Sequence, residues 1–406
     1  MRRAALPDTA VAWCALIAAA AGWAATVGFG SPVDWYDEQR VAMLVIVALT
    51  VVFVPFLPAA GPPADPRIAV ALLLSSGAGL VAALLSARPD AALLEWAALT
   101  SLAASSVLLG TRLESRSAPA AAAAFVSVLL GAYAIAVVAR YVSAIAVGAP
   151  LDGEVLQAGL SNPRFAGQML CLAIPLLPVA SSASPRPSAR AAVTAIAVVA
   201  WSSVIGSGSR TAWLALLAAA ALALALRRRA AAREWFRHQA LWAAGGAVLY
   251  WLAFSFLPGL FNYAVFVEQG RLTAIGSIEA RLELWRFAWS DALQSSLVGI
   301  GPMHFAYAER GLGAHPHNFW LQLLAEWGVV VFVATAYALT RVLVSLWNRS
   351  REFAALDLQG VYVVSILFAL CAWLVASQFD GVMVVPTSQV VSMVVLALAV
   401  NAVRRQ

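Results

Sequence analysis

The stretch AAVTAIAVVAWSSVIGSGSRTAWLALLAAAALALALRRR, residues 191–229, sets the fold class. It holds two apolar runs, 191–206 and 211–226, divided by a Gly-Ser-Gly-Ser-Arg break and closed by three consecutive arginines. A helix needs about 20 apolar residues to cross the hydrocarbon of a bilayer. Two such runs joined by a short polar break read as an antiparallel pair of membrane helices. The cluster Arg227, Arg228, Arg229, Arg233 and Arg237 reads as a cytoplasmic anchor that also meets anionic lipid.

The same pattern extends over the whole chain. Of its 406 residues 62% are hydrophobic and 11% charged, and the mean hydropathy is +0.84. A soluble domain carries roughly a quarter charged residues, so lipid must act as the solvent here. The apolar runs predict twelve spans, at about 9–29, 41–60, 68–86, 92–110, 120–147, 164–180, 191–206, 211–226, 239–257, 318–340, 358–379 and 382–402. The expected fold is an all-α polytopic membrane protein, one transmembrane domain over 1–406. The N-terminal Met-Arg-Arg followed by an apolar run reads as a retained first span rather than a signal peptide. Cys14, Cys171 and Cys371 all lie in apolar runs, so neither a disulfide framework nor a metal cluster follows from them.

Charge gives the orientation. All 26 basic residues are arginine. The termini and alternate breaks (1–8, 61–67, 111–118, 181–190, 227–238, 341–357, 403–406) hold 17 Arg and 6 acids, against 9 Arg and 14 acids elsewhere. The positive-inside rule then puts both termini in the cytoplasm. The net charge of +6 sits largely in short loops between spans and is no sign of nucleic-acid binding. One loop on the opposite side is long, 258–316, between the ninth and tenth spans. It predicts an interfacial helix from Ser277 to Gln294, with Leu282, Trp285, Trp289 and Leu293 at helical spacing, then a Gly/Pro break in LVGIGPMHF.

Charges in or beside lipid are costly and need a reason. No acid occurs between Glu154 and Glu234, yet Arg164 (in SNPRFAGQ) and Arg210 (in GSGSRT) fall in that gap. Each must pair at a distance, face water, or receive an anion. The Gly/Ser turn before Arg210 also offers N–H groups at a helix N-terminus, which suit an anion. In the loop helix, Arg286 has Glu283 three residues before it and reads as a surface pair. Arg281 has no acid at its helical neighbour positions. Arg140, near the outer end of the fifth span, is a further candidate that snorkelling accounts for equally well.

Three of the four histidines, His304, His315 and His317, lie toward the end of the large loop, while His238 falls on the cytoplasmic side. His315-Pro316-His317-Asn318 sits where the chain returns to the membrane. A histidine there is either a polar interfacial residue or a general base. Its spacing matches no zinc pattern. No P-loop, dinucleotide-binding glycine motif or Gly-x-Ser-x-Gly elbow occurs, so neither a metal nor a cofactor is expected.

Residues 317–328, HNFWLQLLAEWG, and 281–305, RLELWRFAWSDALQSSLVGIGPMHF, resemble the signatures of the O-antigen ligase and polymerase superfamily. SNPRFAGQ and GSRT, each opening a span, fit the same pattern and order. That resemblance implies a glycosyltransferase of the bacterial inner membrane. It would move O-antigen from an undecaprenyl pyrophosphate-linked glycan donor to a sugar of a lipid A–core acceptor at the periplasmic face. By this resemblance His317, followed by Asn318, matches the family's essential His, with His315 a less regular second. Arg210 matches the Arg after the small-residue turn and Arg281 the Arg of the loop helix. The implied mechanism is metal-independent and inverting. His317 acts as base, and Arg210 and Arg281, joined by Arg164 and Arg140, hold the pyrophosphate. Val331, where ligases often carry a small or hydroxyl residue, departs from the pattern. A repeat-unit polymerase or a protein O-oligosaccharyltransferase of the same superfamily is the alternative. The compact length, without an added C-terminal outer domain, favours ligase over protein transfer. A twelve-span lipid or sugar transporter fits less well, because its ionisable residues belong near mid-membrane and its halves should look alike.

Overall fold

The computed structural model describes residues 65–152, 155–158, 163–261, 265–266, 276–307, 315–353 and 357–404, together with Cys14, residues 16–18 and Thr50. The expected spans at 9–29 and 41–60 lie outside the described residues apart from those few helical positions. Each of the other ten expected spans coincides with helix. In chain order these are α1 (Pro66–Leu85), α2 (Pro89–Arg112), α3 (Ala118–Ala146), α4 (Pro163–Ala173) with α5 (Leu177–Ala183), α6 (Pro187–Gly206) and α7 (Arg210–Ala225). Then come α8 (Ala230–Leu260), the loop helices α9 (Gly276–Gln294) and α10 (His304–Tyr307), and α11 (Phe319–Arg349), α12 (Leu358–Phe379) and α13 (Pro386–Val403). Among the described residues eight helices are long and apolar enough to cross a membrane, and α7 and α13 are shorter apolar helices. The protein is an all-α polytopic membrane protein.

The breaks contain the residues that start helices. Proline occupies the first turn of α1, α2, α3, α6 and α13, where its missing N–H costs nothing. Side chains cap α1 as well and three others: Asp65 accepts from Arg67 N, Ser209 from Ala212 N, Asn318 from Leu321 N and Asp357 from Gly360 N. Helix α12 lies at the centre, with most of its residues buried. At the rim, Leu73 and Leu74 of α1 and Leu241 and Val248 of α8 are exposed apolar side chains, as expected of helices whose outer face meets lipid.

Three features differ from the expectation. The span at 164–180 is not one α-helix: Pro175 and Pro178 interrupt it, and Ile174–Leu176 form a 3-10 turn between α4 and α5. Proline lacks the N–H that continues the ladder. Two carbonyls at this turn also accept from the side, Ile174 O from Gln239 Nε2 at 2.9 Å and Pro175 O from Trp235 Nε1 at 2.8 Å. Helices α8 and α11 overrun their apolar runs by several residues, so Arg233, Arg237, Arg341 and Arg349 sit on helix, not in loops. Hydropathy marks where lipid ends, whereas arginine continues a helix readily. Finally, Leu151–Asp152 pairs in parallel with Val265–Phe266 (β1 and β2), tying the end of α3 to the large loop.

Candidate functional site

The functional geometry is built around the start of α11. Asn318 caps the helix, its Oδ1 accepting from Leu321 N at 3.0 Å. The two rings of His315 and His317 lie 4.1 Å apart, and His315 Nδ1 accepts from His317 N at 3.2 Å. His317 has φ 51°, a left-handed conformation that costs a residue with a Cβ roughly 1–2 kcal/mol. Such strain persists only where the surroundings impose it, and it clusters at functional sites. Here the surroundings are the ends of α12 and α13. His317 Nδ1 lies 3.4 Å from Asp380 Oδ1, and that same oxygen accepts from Gly381 N at 2.9 Å. A Cβ on Gly381 would come within 2.4 Å of His315 Cε1, so only glycine lets the His315 ring lie flat on this turn. Trp320 Nε1 donates to Ser377 Oγ at 3.0 Å and fixes the first turn of α11 to α12.

Asp380 is 2% exposed. Burial works to raise its carboxyl, but the hydrogen bond and charge of His317, the neighbouring Gln168 amide and the charge of His315 outweigh it and hold the group below its ordinary value. Gln168 belongs to α4 and is itself buried; its Oε1 accepts from Ser388 Oγ of α13 at 3.0 Å. The preceding residue, Gly167, brings α4 against the start of α7. A Cβ there would lie 2.5 Å from Ser209 Oγ. Ser209 caps α7, Gly208 before it has φ 62°, and Arg210 is the first helical residue. Through Gly167 and Gln168 the Arg210 turn and the His317–Asp380 pair therefore stand at one end of the bundle.

The loop helix α9 reaches the same end. Trp285 Nε1 donates to Pro316 O at 2.9 Å, one residue before His317. Arg281 stands one turn earlier on the same face of α9 and is partly buried. The expected apolar stripe divides. Trp285 turns inward, while Leu282, Trp289 and Leu293 are exposed. The face buried against α11 is instead Leu284, Ala288 and Ala292, with Phe305 and Ala325. The small residues let two helices approach closely, which the large ones cannot do.

A break in α11 receives the segment that follows α9. Gly328 has φ 81° and ψ 173° inside the helix, freeing the carbonyls of the turn before it. Ala325 O accepts from Ile300 N and Glu326 O from Gly301 N, each at 2.9 Å, and Val329 N donates to Ser296 O at 2.9 Å. Backbone approach is so close that a Cβ on Gly328 would meet Leu297 O at 2.3 Å, and one on Gly299 would meet Glu326 O at 2.4 Å.

Of the residues singled out from sequence, His315, His317 and Asn318 form this turn; Arg210 begins α7, next to the Ser209 that meets Gly167, and Arg281 lies on α9 one turn before Trp285. Arg164 opens α4, three residues before Gly167. Arg140 is exposed on α3. The expected surface pair of Arg286 with Glu283 is not formed; both are exposed, and among the described residues no ion pair joins them. Two long, hydrated side chains gain too little from pairing to be held. Sequence reasoning missed Asp380, Gln168 and Glu326. The missed signal was available for two of them, since an acid at the end of an apolar run (SQFDG) or within one (LLAEWG) is as costly beside lipid as an arginine.

Residues 195–336 match the family model described as O-antigen ligase. The match runs from within α6 to just past the Gly328 break, and so includes Arg210, Arg281, His315 and His317. Comparison with curated proteins finds no match. The loop helix, the helix break and the His turn all fall inside the matched region, over which the chain is similar to the O-antigen ligase family.

Proposed function

We propose that the protein transfers O-antigen from undecaprenyl pyrophosphate to a sugar of lipid A–core at the periplasmic face of the bacterial inner membrane. The observation that carries this reading is the strained His317, with Nδ1 beside the buried Asp380 carboxylate. With Nδ1 so engaged, Nε2 is the nitrogen left to accept a proton from the acceptor hydroxyl. Asp380 holds the ring and stabilises the imidazolium that forms. The donor sugar leaves from a pyrophosphate, which is already a good leaving group, so no nucleotide is required. Arg210, at the N-terminus of α7, and Arg281, on α9, bind that pyrophosphate and take up the charge released as the glycosidic bond breaks. Arg164 and Arg140 assist in drawing the anion. In-line attack inverts the anomeric centre. Helix α9 serves as a lid whose exposed Trp289 and Leu293 rest in the lipid interface. The arginine-rich ends of the helices, including Arg227, Arg228 and Arg233, face the cytoplasm with both termini.

The test is transfer by purified protein in lipid, with a lipid-linked glycan donor and lipid A–core acceptor. His317→Ala is expected to abolish product while leaving the protein folded. Normal transfer by His317→Ala refutes the assigned base. Longer glycan formed without the acceptor lipid identifies the polymerase instead, and no product with any acceptor returns attention to transport.

A further inference from the structure

We propose that Glu326 is a positioning residue for this transfer, its carboxyl holding the segment after α9 in the α11 break and so keeping the lid helix in register with His317. The inference rests on the function proposed above. Glu326 is 1% exposed within α11. Its Oε1 accepts from Phe305 N at 3.0 Å, and its Oε2 takes Gln322 Nε2 at 3.0 Å. The carboxyl also takes the backbone of Met303, a residue held at φ 63°. The backbone carbonyl of Glu326 accepts from Gly301 N. One residue thus gathers the N–H groups of 301, 303 and 305. Phe305, fully buried between Leu284, Ala288 and Ala292 of α9 and Ala325 of α11, converts that grip into a fixed lid. Packing alone would favour an apolar side chain at this depth, since a carboxyl in a membrane helix is costly. The gathered N–H groups are the reason for it. Arg281 and Trp285, on the same helix as Leu284, are the parts of the site that depend on this register.

Two variants separate the roles. Glu326→Leu keeps the volume and removes both acceptors; Glu326→Gln keeps one. Amide exchange over 299–305 is measured on the purified full-length protein alongside transfer kinetics. Glu326→Leu is expected to speed exchange at Met303 and Phe305 at least tenfold. It should lower kcat at least tenfold with donor KM little changed, and Glu326→Gln, which keeps one acceptor oxygen, should restore protection at only one of the two amides and part of the lost kcat. Wild-type exchange and kcat in Glu326→Leu overturn the proposal, as does a smaller folded fraction whose kcat is unchanged. If Leu prevents folding, Glu326→Gln decides: one oxygen for two N–H groups should speed exchange at one of the two amides, and wild-type exchange at both overturns it. Fast exchange in a protein whose wild type transfers to no acceptor condemns the transfer reading itself, not the grip.

Discussion

Replacing Asp380 by Asn removes one charge from the site while keeping the side-chain shape. The carboxylate lies 3.4 Å from His317 Nδ1. At an effective dielectric of 20 its attraction for an imidazolium there is about 5 kcal/mol before solvation is counted. Roughly half is realised in a transition state with partial proton transfer and a His317 side chain 21% exposed. A loss near 2.7 kcal/mol corresponds to about a hundredfold in rate. The expected result for Asp380→Asn is therefore a kcat about a hundredfold lower, with donor KM close to wild type. The assay is initial-rate glycan transfer in lipid with saturating acceptor. Asp380→Asn within threefold of wild type refutes the idea that this carboxylate supports the base. The stability consequence has a definite sign. The folded Asp380 carboxyl titrates below its ordinary value, so its contribution is fully present above the unfolded pKa near about 3.9 and is lost as pH falls through the lower, folded value. Thermal unfolding of the wild type should lose stability below about pH 4, and Asp380→Asn should flatten that loss.

Two glycine substitutions test the backbone of the site. Gly381→Ala sets a methyl 2.4 Å from His315 Cε1; the ring must move, and a fall in transfer of at least tenfold is expected with the melting temperature only slightly lowered. Gly328→Ala adds a Cβ 2.3 Å from Leu297 O at φ 81°. Strain there costs on the order of 1–3 kcal/mol, and limited proteolysis of the detergent-purified protein should cut faster between residues 294 and 305.

Much of this protein was legible without coordinates because hydropathy is a local property. Lipid demands long apolar helices, and runs such as 358–379 announce themselves residue by residue. The helical spacing of the loop placed α9 correctly. What the sequence could not determine were contacts between distant elements. The face of α9 that packs is chosen by small residues, Ala288 and Ala292, which carry little hydropathy. The 3-10 turn at Ile174–Leu176 is tolerated because Gln239 and Trp235 arrive from α8. Asp380 lies 63 residues beyond His317, and its importance follows only from their approach. The solvent and the ten spans among the described residues were legible from sequence, since those depend on each residue's own preference for lipid. Tertiary structure alone decided which buried polar groups meet, because a charge in lipid is settled by its partner and not by its neighbours in the chain.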